Sequence, residues 1–240
     1  ELQKRDLIPQ CVKENKHHNP KKCAGPHHGG TGHAGLCNRV YLDLMKRMGF
    51  TYLDYGLESW DRRILQWLGK GSTVERNALA IQETLDAGIR PIPNQIVGFP
   101  MEYWESIKAM VDAWEKHGIV TIPFIMTPYP GSEIFEKHRK EILQQYNENM
   151  DAFLSSLEDA VKITATVCDN FSPIELAGMQ ALLGETAKSG DFNNARRLFA
   201  ISEATWREYR KLDPYAGAFT NWLPKGLLPS PLDSKLLDKT

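Results

Sequence analysis

Three short turn segments recur along the chain, and each lies between an apolar run and a helical pattern. They cover residues 55–59, 96–102 and 127–132. Roughly 30 to 40 residues separate them, which is the length of one strand-helix unit. In parallel α/β proteins, ligands bind outside the carboxyl ends of the strands, where turns of this kind lie. The three segments therefore mark the edge of a predicted parallel sheet at which we expect a binding site.

The residues before and between these segments predict helices with clear ends. Apolar positions at helical spacing predict a helix over residues 38–48, and Gly49 ends it. Ser72 and Glu75 have the spacing of a capping box and predict the start of a second helix, which Gly88 ends. Both helices are followed by apolar runs short enough to be strands.

The predicted elements alternate between helix and strand. In chain order they are helix 38–48, strand 51–55, helix 72–87, strand 89–97, helix 103–116 and strand 119–126. This order predicts a parallel sheet with right-handed crossovers. Pro91 and Pro93 each lack a ladder donor, so the early part of strand 89–97 should be irregular or paired on one side only.

The second half of the chain has a different pattern. Residues 133–212 predict helices, with no strand of the required length. Ser172, Pro173 and Glu175 fit the N-cap, N1 and N3 positions of one of these helices. A fresh start at Asp191 leads into the last long helix, which ends at residue 212. Residues 213–240 are rich in proline and predict an extended arm, either packed on the protein or disordered.

Within residues 1–36, the stretch 13–33 combines histidine, lysine, proline and glycine and has almost no apolar side chains. Three cysteines (Cys11, Cys23 and Cys37) and five histidines (His17, His18, His27, His28 and His33) suggest a zinc site. However, zinc sites bring two cysteines together in a tight chelate loop, and these cysteines lie more than ten residues apart. We therefore predict no metal site here but an irregular segment, part of which supplies a further strand.

Charge and hydropathy exclude several classes of function. The 29 lysines and arginines nearly balance the 30 aspartates and glutamates, so the net charge of −1 gives no electrostatic reason to expect a nucleic acid or an anionic membrane as partner. No apolar run approaches the ~20 residues of a membrane span, and the start does not resemble a signal peptide. We expect a soluble, cytoplasmic protein.

The turn segments also occur in the order of a known family. The motifs that carry the likeness are Gly56-Leu57-Glu58-Ser59, Ile64-Leu65, Lys70-Gly71-Ser72-Thr73, Ala87-Gly88-Ile89, Ile96-Val97-Gly98-Phe99-Pro100 with Glu102, and Pro128-Tyr129-Pro130-Gly131-Ser132. Together, from about Cys37 to about Phe135, they resemble the second half of a radical S-adenosylmethionine (radical SAM) enzyme. The closest likeness is to the subgroup with an upstream cobalamin-binding domain.

This resemblance implies a fold and a set of cofactors. The fold would be the C-terminal half of a partial (β/α)6 TIM-like barrel with parallel strands, followed by an all-helical extension. The implied division is 1–36 irregular, 37–140 half-barrel, 141–212 helical extension and 213–240 arm. The implied cofactors are S-adenosylmethionine, a [4Fe–4S] cluster and, through the subgroup, cobalamin. The substrate, a small molecule or a peptide, is not specified.

The resemblance also implies roles at the strand ends. Glu58 would bind the ribose of S-adenosylmethionine, and Ser59 would bind the ribose or the methionine part. Structurally, Glu58 could instead be a solvated loop acid or a cap for the helix that starts at Asp61. Ile96, Val97, Gly98 and Phe99 would contact adenine, or else only end a strand. Glu102 is a further candidate that could instead favour a helix N-terminus. Tyr129 would face the cofactor or substrate from a rigid turn, whereas Lys70 is predicted only to end a helical turn.

The chain departs from the family at three points. The Cys-x3-Cys-x2-Cys motif that holds the cluster does not occur, so we expect the ligands in an upstream part of the same polypeptide, of which this chain would be the C-terminal part, inactive alone. Trp60 and Met101 replace the family's usual glycines beside the site. Two alternatives remain open: a non-radical TIM-barrel enzyme acting on a phosphorylated metabolite or sugar, and a non-enzymatic degenerate half-barrel and helical scaffold.

Overall fold

The structure is a computed structural model, and it describes residues 28–157 and 165–212. The chain divides into two compact units, Glu1–Gln95 with Ala109–Ile122, and Ile96–Lys108 with Pro123–Thr240. The predictions for Cys11, Cys23 and the arm at 213–240 lie outside the described residues, and the predicted four-part division stays a prediction.

Strands and helices alternate through the first half of the described chain. In chain order the elements are β1 (His28–Gly32), α1 (Arg39–Arg47), β2 (Phe50–Glu58), α2 (Arg62–Leu68), α3 (Val74–Asp86), β3 (Arg90–Val97), α4 (Trp104–His117) and β4 (Phe124–Ile125). They are followed by α5 (Glu133–Lys137), α6 (Arg139–Gln144), α7 (Met150–Ser156), α8 (Pro173–Ser189) and α9 (Phe192–Leu212), with a 3-10 turn at Ala34–Leu36 after β1. The strands pair in chain order, β1-β2-β3-β4, and every pair is parallel. The predicted fold class, a parallel half-barrel followed by a helical extension, is confirmed.

In the first unit, β2 separates a buried face from a half-exposed face. Residues 51, 53, 55 and 57 are buried, and residues 50, 52, 54, 56 and 58 are partly exposed. Tyr55 turns towards α3, where its hydroxyl lies 2.8 Å from Thr84 Oγ1. The missing side chain of Gly32 leaves room for this ring, since a Cβ there would lie 2.9 Å from Tyr55 Cε1.

The proline-containing part of β3 is paired on one side, as predicted. Pro91 and Pro93 lie opposite Leu53 and Tyr55 of β2, whereas β4 pairs only with Ile96 and Val97. A proline has no N–H to donate, and at these positions no second strand needs one.

Two sequence predictions of local structure were wrong. Thr73, not Ser72, caps α3: its backbone is extended and its hydroxyl accepts the N–H of Arg76, whereas the Ser72 side chain is buried. The strand predicted over 119–126 is only Phe124–Ile125, because the N–H of Ile119 bonds to the carbonyl of Trp114 at the end of α4 and Pro123 has no N–H.

In the second unit, helices pack around the end of β3 and around β4. Ser172 caps α8 with a complete capping box to Glu175, and Pro173 is its first residue, as predicted. The side chain of Gln180 on α8 donates to the carbonyl of Pro123, 2.8 Å away, just before β4. Among the residues that the structure describes, no helix is both long and apolar enough to cross a membrane.

Candidate functional site

The first candidate cluster lies at the end of β2, where the chain makes a tight turn at Glu58. The N–H of Ser59 bonds to the carbonyl of Leu57 at 2.8 Å, which closes a three-residue γ-turn centred on Glu58. Glu58 has a φ of 62°, a conformation that costs a residue other than glycine about 1–3 kcal/mol. The pairing of β2 with β3 shifts register at the same point, between Gly56 and Glu58. Strain of this kind persists only where neighbouring contacts enforce it.

The carboxylate of Glu58 is held above Gly56. Lys70 donates a hydrogen bond to Glu58 Oε1, and the side chain of Glu58 is 13% exposed against 41% for Lys70. A Cβ at Gly56 would lie 2.9 Å from Glu58 Oε1 and 3.4 Å from Lys70 Nζ, so the glycine leaves the space that this ion pair uses. Lys70, which sequence reasoning treated as the end of a helical turn, is therefore a member of this cluster.

Ser59 is buried and braces the turn. Its hydroxyl accepts the N–H of Asp61 at 3.1 Å, and Asp61 in turn caps α2 by accepting the N–H of Arg63 at 2.7 Å. Burial works against ionisation of Asp61, but the hydrogen bonds and charge of Arg63 outweigh it and lower the pKa of the carboxyl group. The hydroxyl of Ser59 thus already has one role, that of orienting the start of α2.

Asn77, on α3, was missed by sequence reasoning. It is fully buried, and its amide nitrogen donates to the carbonyls of Leu57 at 3.0 Å and Ser59 at 3.3 Å. The available signal was its position: residues 77, 80, 81 and 84 form the buried face of α3. A polar residue on a core face usually has a specific hydrogen-bond partner.

Trp60, which departs from the family pattern, packs on the protein itself. Its ring stacks on His117 with 5.4 Å between centroids and 13° between planes, and it is 5% exposed. Desolvation, followed by the charge of Lys116, lowers the pKa of His117. Trp60 thus fills the space beside Ser59 with a buried ring that stacks on the partly exposed His117.

The second candidate cluster, in the second unit, is built around Glu102. This side chain is 1% exposed; it accepts the N–H of Gly98 at 3.2 Å through Oε2 and the hydroxyl of Ser106 through Oε1. The backbone carbonyl of Glu102 accepts from Asn170 at 2.9 Å. Glu102 therefore fixes the loop between β3 and α4 from inside.

The main-chain groups after β3 are mostly engaged within the protein. The carbonyls of Val97, Phe99 and Pro100 accept the N–H groups of Met126, Glu102 and Asp169, at 2.8, 2.9 and 2.9 Å. The carbonyl of Gly98 accepts no hydrogen bond from any residue that the structure describes. Of the carbonyls from residue 97 to residue 100, this one alone has no hydrogen-bond donor among the described residues, although Gly98 itself is buried.

Gly98 also has a conformational reason to be glycine. Its φ is +95°, and a Cβ there would lie 3.3 Å from Leu176 Cδ1. Val97 and Phe99 on either side are buried, whereas Ile96 is half-buried. Leu176 of α8 thus lies beside Gly98. The sequence predicted that a ligand would approach the bare backbone at Gly98, and it did not predict this helix there.

Tyr129 lies on a hydrogen-bonded turn and is 46% exposed. Its carbonyl accepts from the N–H and the hydroxyl of Ser132, at 3.0 and 2.6 Å, and Ser132 caps α5. These bonds fix the backbone of the turn but do not involve the phenol ring, so the predicted role of Tyr129 beside the cofactor or substrate stays a prediction.

A cavity of about 550 Å³ lies between α8 and α9 of the second unit. Its walls are mainly apolar and include Trp104, Met179, Leu182, Phe199, Trp206 and Tyr209. Its one acidic side chain, Glu175, is engaged by the N–H of Ser172 at 2.7 Å. Such walls do not match the charged methionine part of S-adenosylmethionine.

The two cysteines that the structure describes, Cys37 and Cys168, do not fit an iron–sulfur cluster. No group of three or more His, Cys, Asp or Glu side chains within residues 28–157 and 165–212 is arranged to hold a metal. Burial raises the pKa of Cys37, and it raises that of Cys168 to about 12, so neither thiol is readily ionised to the thiolate that binds iron. The four cysteines of the sequence also lack the Cys-x3-Cys-x2-Cys spacing.

Comparison with known proteins identifies the superfamily of one segment of the chain. Residues 11–113 match the model of the Radical SAM superfamily. This segment belongs to that superfamily. The resemblance inferred from the turn segments is therefore confirmed, and the radical SAM segment includes Glu58, Lys70, Asn77, Gly98 and Glu102.

Relatives match only parts of the chain. An uncharacterized methyltransferase of Pyrococcus horikoshii is 34% identical over 100 residues, which are 41% of this chain and 22% of that protein. The radical SAM coproporphyrinogen III oxidase HemN of Escherichia coli is 17% identical with a TM-score of 0.42, over 55% of this chain and 29% of its own. The radical SAM methyltransferase TsrM of Kitasatospora setae, solved with cobalamin and a [4Fe–4S] cluster, is 20% identical with a TM-score of 0.39, over 46% and 23%. The chain thus spans less than a third of the length of each.

Proposed function

We propose that this chain positions S-adenosylmethionine in a radical SAM enzyme whose cluster is held by cysteines outside it. The enzyme class rests on the superfamily match of residues 11–113. A [4Fe–4S] cluster, when bound and reduced, would supply the one electron needed for reductive cleavage of S-adenosylmethionine to methionine and a 5′-deoxyadenosyl radical. The chain's own part is to bind and orient the nucleoside.

The observation that supports this role is the strained turn at Glu58. Non-glycine residues with positive φ concentrate at binding and catalytic sites, and Glu58 lies at the carboxyl end of a parallel strand. Lys70 contacts only Oε1, and no described residue bonds to Oε2. A carboxylate with a free oxygen accepts hydrogen bonds from a ribose diol.

At the end of β3, the free carbonyl of Gly98 fits the amino group of adenine. Within the second unit, Tyr129 and Ile96 are proposed as apolar contacts of adenine, while Val97, Phe99 and Glu102 hold the loop that presents the carbonyl. Glu102 acts from beneath, since it is buried and bonded to Gly98 and Ser106.

Cobalamin and methyl transfer are proposals for the whole enzyme. TsrM was solved with cobalamin bound, and the relative from Pyrococcus horikoshii is described as a methyltransferase. No residue of this chain is proposed to bind cobalamin. The superfamily match favours the radical reaction over the non-radical barrel enzyme that the sequence left open.

The test compares two ligands and two proteins. S-adenosylmethionine and its 2′,3′-dideoxy analogue are bound to the wild type and to Glu58→Gln by equilibrium dialysis without reductant. We expect loss of the hydroxyls to weaken binding to the wild type about tenfold or more, because hydrogen bonds to a charged group are worth roughly 1.5–3 kcal/mol. The two ligands should bind Glu58→Gln more nearly alike. If the analogue binds the wild type as tightly as S-adenosylmethionine does, Glu58 does not hold the ribose.

A further inference from the structure

Asn77 clamps the turn that carries Glu58. Its amide nitrogen donates to the carbonyl before Glu58, at Leu57, and to the carbonyl after it, at Ser59. Both acceptors are carbonyls, so the amide must present its NH2 group to them. Both hydrogen bonds are buried, and Asn77 itself is fully buried on α3.

The hydrogen bonds of Asn77 oppose the relaxation of the strained turn at Glu58. The γ-turn at Glu58 places the side chain of a non-glycine residue at φ 62°, and an unsupported chain would relax to a negative φ. Relaxation would rotate the carbonyl of Leu57 away and break two bonds at once, one from the N–H of Ser59 and one from Asn77. The direction in which the Glu58 carboxylate leaves the backbone is therefore linked to the Asn77 amide.

The chemistry of Asn77 itself indicates a specific demand for a donor. Its Oδ1 is buried and has no hydrogen-bond partner among the residues described, which carries a free-energy cost that a smaller apolar residue would avoid. An asparagine at this position is favoured only if the two donated bonds are required.

We infer that Asn77 is a positioning residue, which holds Glu58 in the direction needed to meet the ligand. This inference rests on the proposed function, because it takes the ligand of Glu58 to be the ribose of S-adenosylmethionine. Asn77 does not touch the ligand; its effect on binding passes through the Glu58 turn.

Thr84 provides a matched control on the same helix. It is also fully buried, lies seven residues along α3, and bonds to the hydroxyl of Tyr55 at 2.8 Å and the carbonyl of Ala80 at 2.6 Å. Thr84→Ala removes buried hydrogen bonds from the same face of α3 but leaves the turn at Glu58 intact. It reports what general damage to α3 does to ligand binding.

The experiment is a double-mutant cycle in the full protein, with S-adenosylmethionine binding measured by equilibrium dialysis without reductant. We expect Asn77→Ala to weaken binding about tenfold in the wild-type background and less than about twofold in the Glu58→Ala background. Asn77→Ser, which keeps one donor, should fall between wild type and alanine, and Thr84→Ala should stay within about twofold of wild type. Thermal unfolding of each variant shows whether that variant is folded.

Several outcomes overturn the inference. Equal losses from Asn77→Ala in the wild-type and Glu58→Ala backgrounds, or a loss from Thr84→Ala as large as that from Asn77→Ala, would show a purely structural effect. Unchanged binding of the Asn77 variants beside a weakened Glu58→Ala overturns the positioning role alone. If Glu58→Ala itself binds like the wild type, the proposed function fails, and the positioning role fails with it.

Discussion

Lys70 donates a hydrogen bond to one carboxylate oxygen of Glu58, above the bare backbone of Gly56. Glu58 is the more buried partner, so the ion pair orients an acid whose second oxygen remains open to a ligand. The lysine and the glutamate are separated by the whole of α2, and only the fold brings them together.

Replacement of Lys70 should weaken binding more than it affects stability. Lys70→Met removes a partly exposed ion pair, so the free energy of unfolding should fall by at most about 1 kcal/mol. Glu58 would then lose the contact that orients Oε1, and affinity for S-adenosylmethionine should fall a few-fold. Chemical denaturation and equilibrium dialysis measure the two effects. Lys188→Met is the control, since Lys188 pairs with Glu185 on the exposed surface of α8. If Lys70→Met instead binds S-adenosylmethionine more tightly than the wild type, Lys70 competes with the ligand for Glu58.

A side chain at position 98 should lower the free energy of unfolding. Gly98→Ala forces an alanine to φ +95° and brings its Cβ within 3.3 Å of Leu176, so we expect a loss of about 1–2 kcal/mol in the free energy of unfolding. Gly178→Ala on α8 is the control. A Cβ there meets nothing within 4 Å and its φ is not positive, so this change should stabilise by about 0.5–1 kcal/mol. Similar unfolding midpoints for Gly98→Ala and wild type would contradict the steric account.

The buried acid of the β3–α4 loop should matter for stability. Glu102→Gln replaces one acceptor oxygen with a donor, so the side chain can no longer accept from both the N–H of Gly98 and the hydroxyl of Ser106. The hydroxyl keeps only its bond to the carbonyl of Tyr103, at 2.6 Å. We expect a loss of about 1–3 kcal/mol on urea denaturation. The control Glu105→Gln changes an exposed acid at the start of α4, 3.7 Å from Arg207, and should cost less than about 1 kcal/mol. A Glu102→Gln protein as stable as the control would refute the internal role of Glu102.

The stacked pair of Trp60 and His117 should make stability depend on pH. Desolvation lowers the pKa of His117 in the folded state below 6.5, so the unfolded chain binds more protons near that pH. The contribution of His117 is therefore fully present above pH 6.5 and is lost as the pH falls through its folded pKa. His117→Phe keeps a ring on Trp60 but removes the titration. The free energy of unfolding of the wild type should fall relative to His117→Phe below about pH 6.5; parallel pH profiles would contradict the assignment.

The sequence could predict the elements because their signals are local. Capping at Ser172, helix ends at glycine and one-sided pairing at Pro91 and Pro93 each depend on residues within a few positions. Ser72 and Thr73 are both competent caps, and only the burial of the Ser72 side chain selects Thr73. A sequence pattern cannot distinguish two neighbouring cap residues when only the burial of one side chain decides between them.

The site could be predicted less completely, because its contacts join distant segments. Glu58 was identified by its place at a strand end. Lys70 contacts it from the loop between α2 and α3, 12 residues away in sequence, and Asn77 contacts its turn from α3, about 20 residues away. Glu102 was identified, whereas its buried bond to Ser106 depends on how α4 begins. Neither the strain at Glu58 nor the clamp that supports it leaves a local pattern.

The most direct test of the central claim is equilibrium dialysis of S-adenosylmethionine against the full protein, without reductant, in the wild type and in Glu58→Ala. If Glu58 binds the ribose, the wild type should bind saturably and Glu58→Ala at least about tenfold more weakly, with thermal unfolding showing that both proteins are folded. Equal affinities for the two proteins, or no saturable binding to the folded wild type, would contradict it.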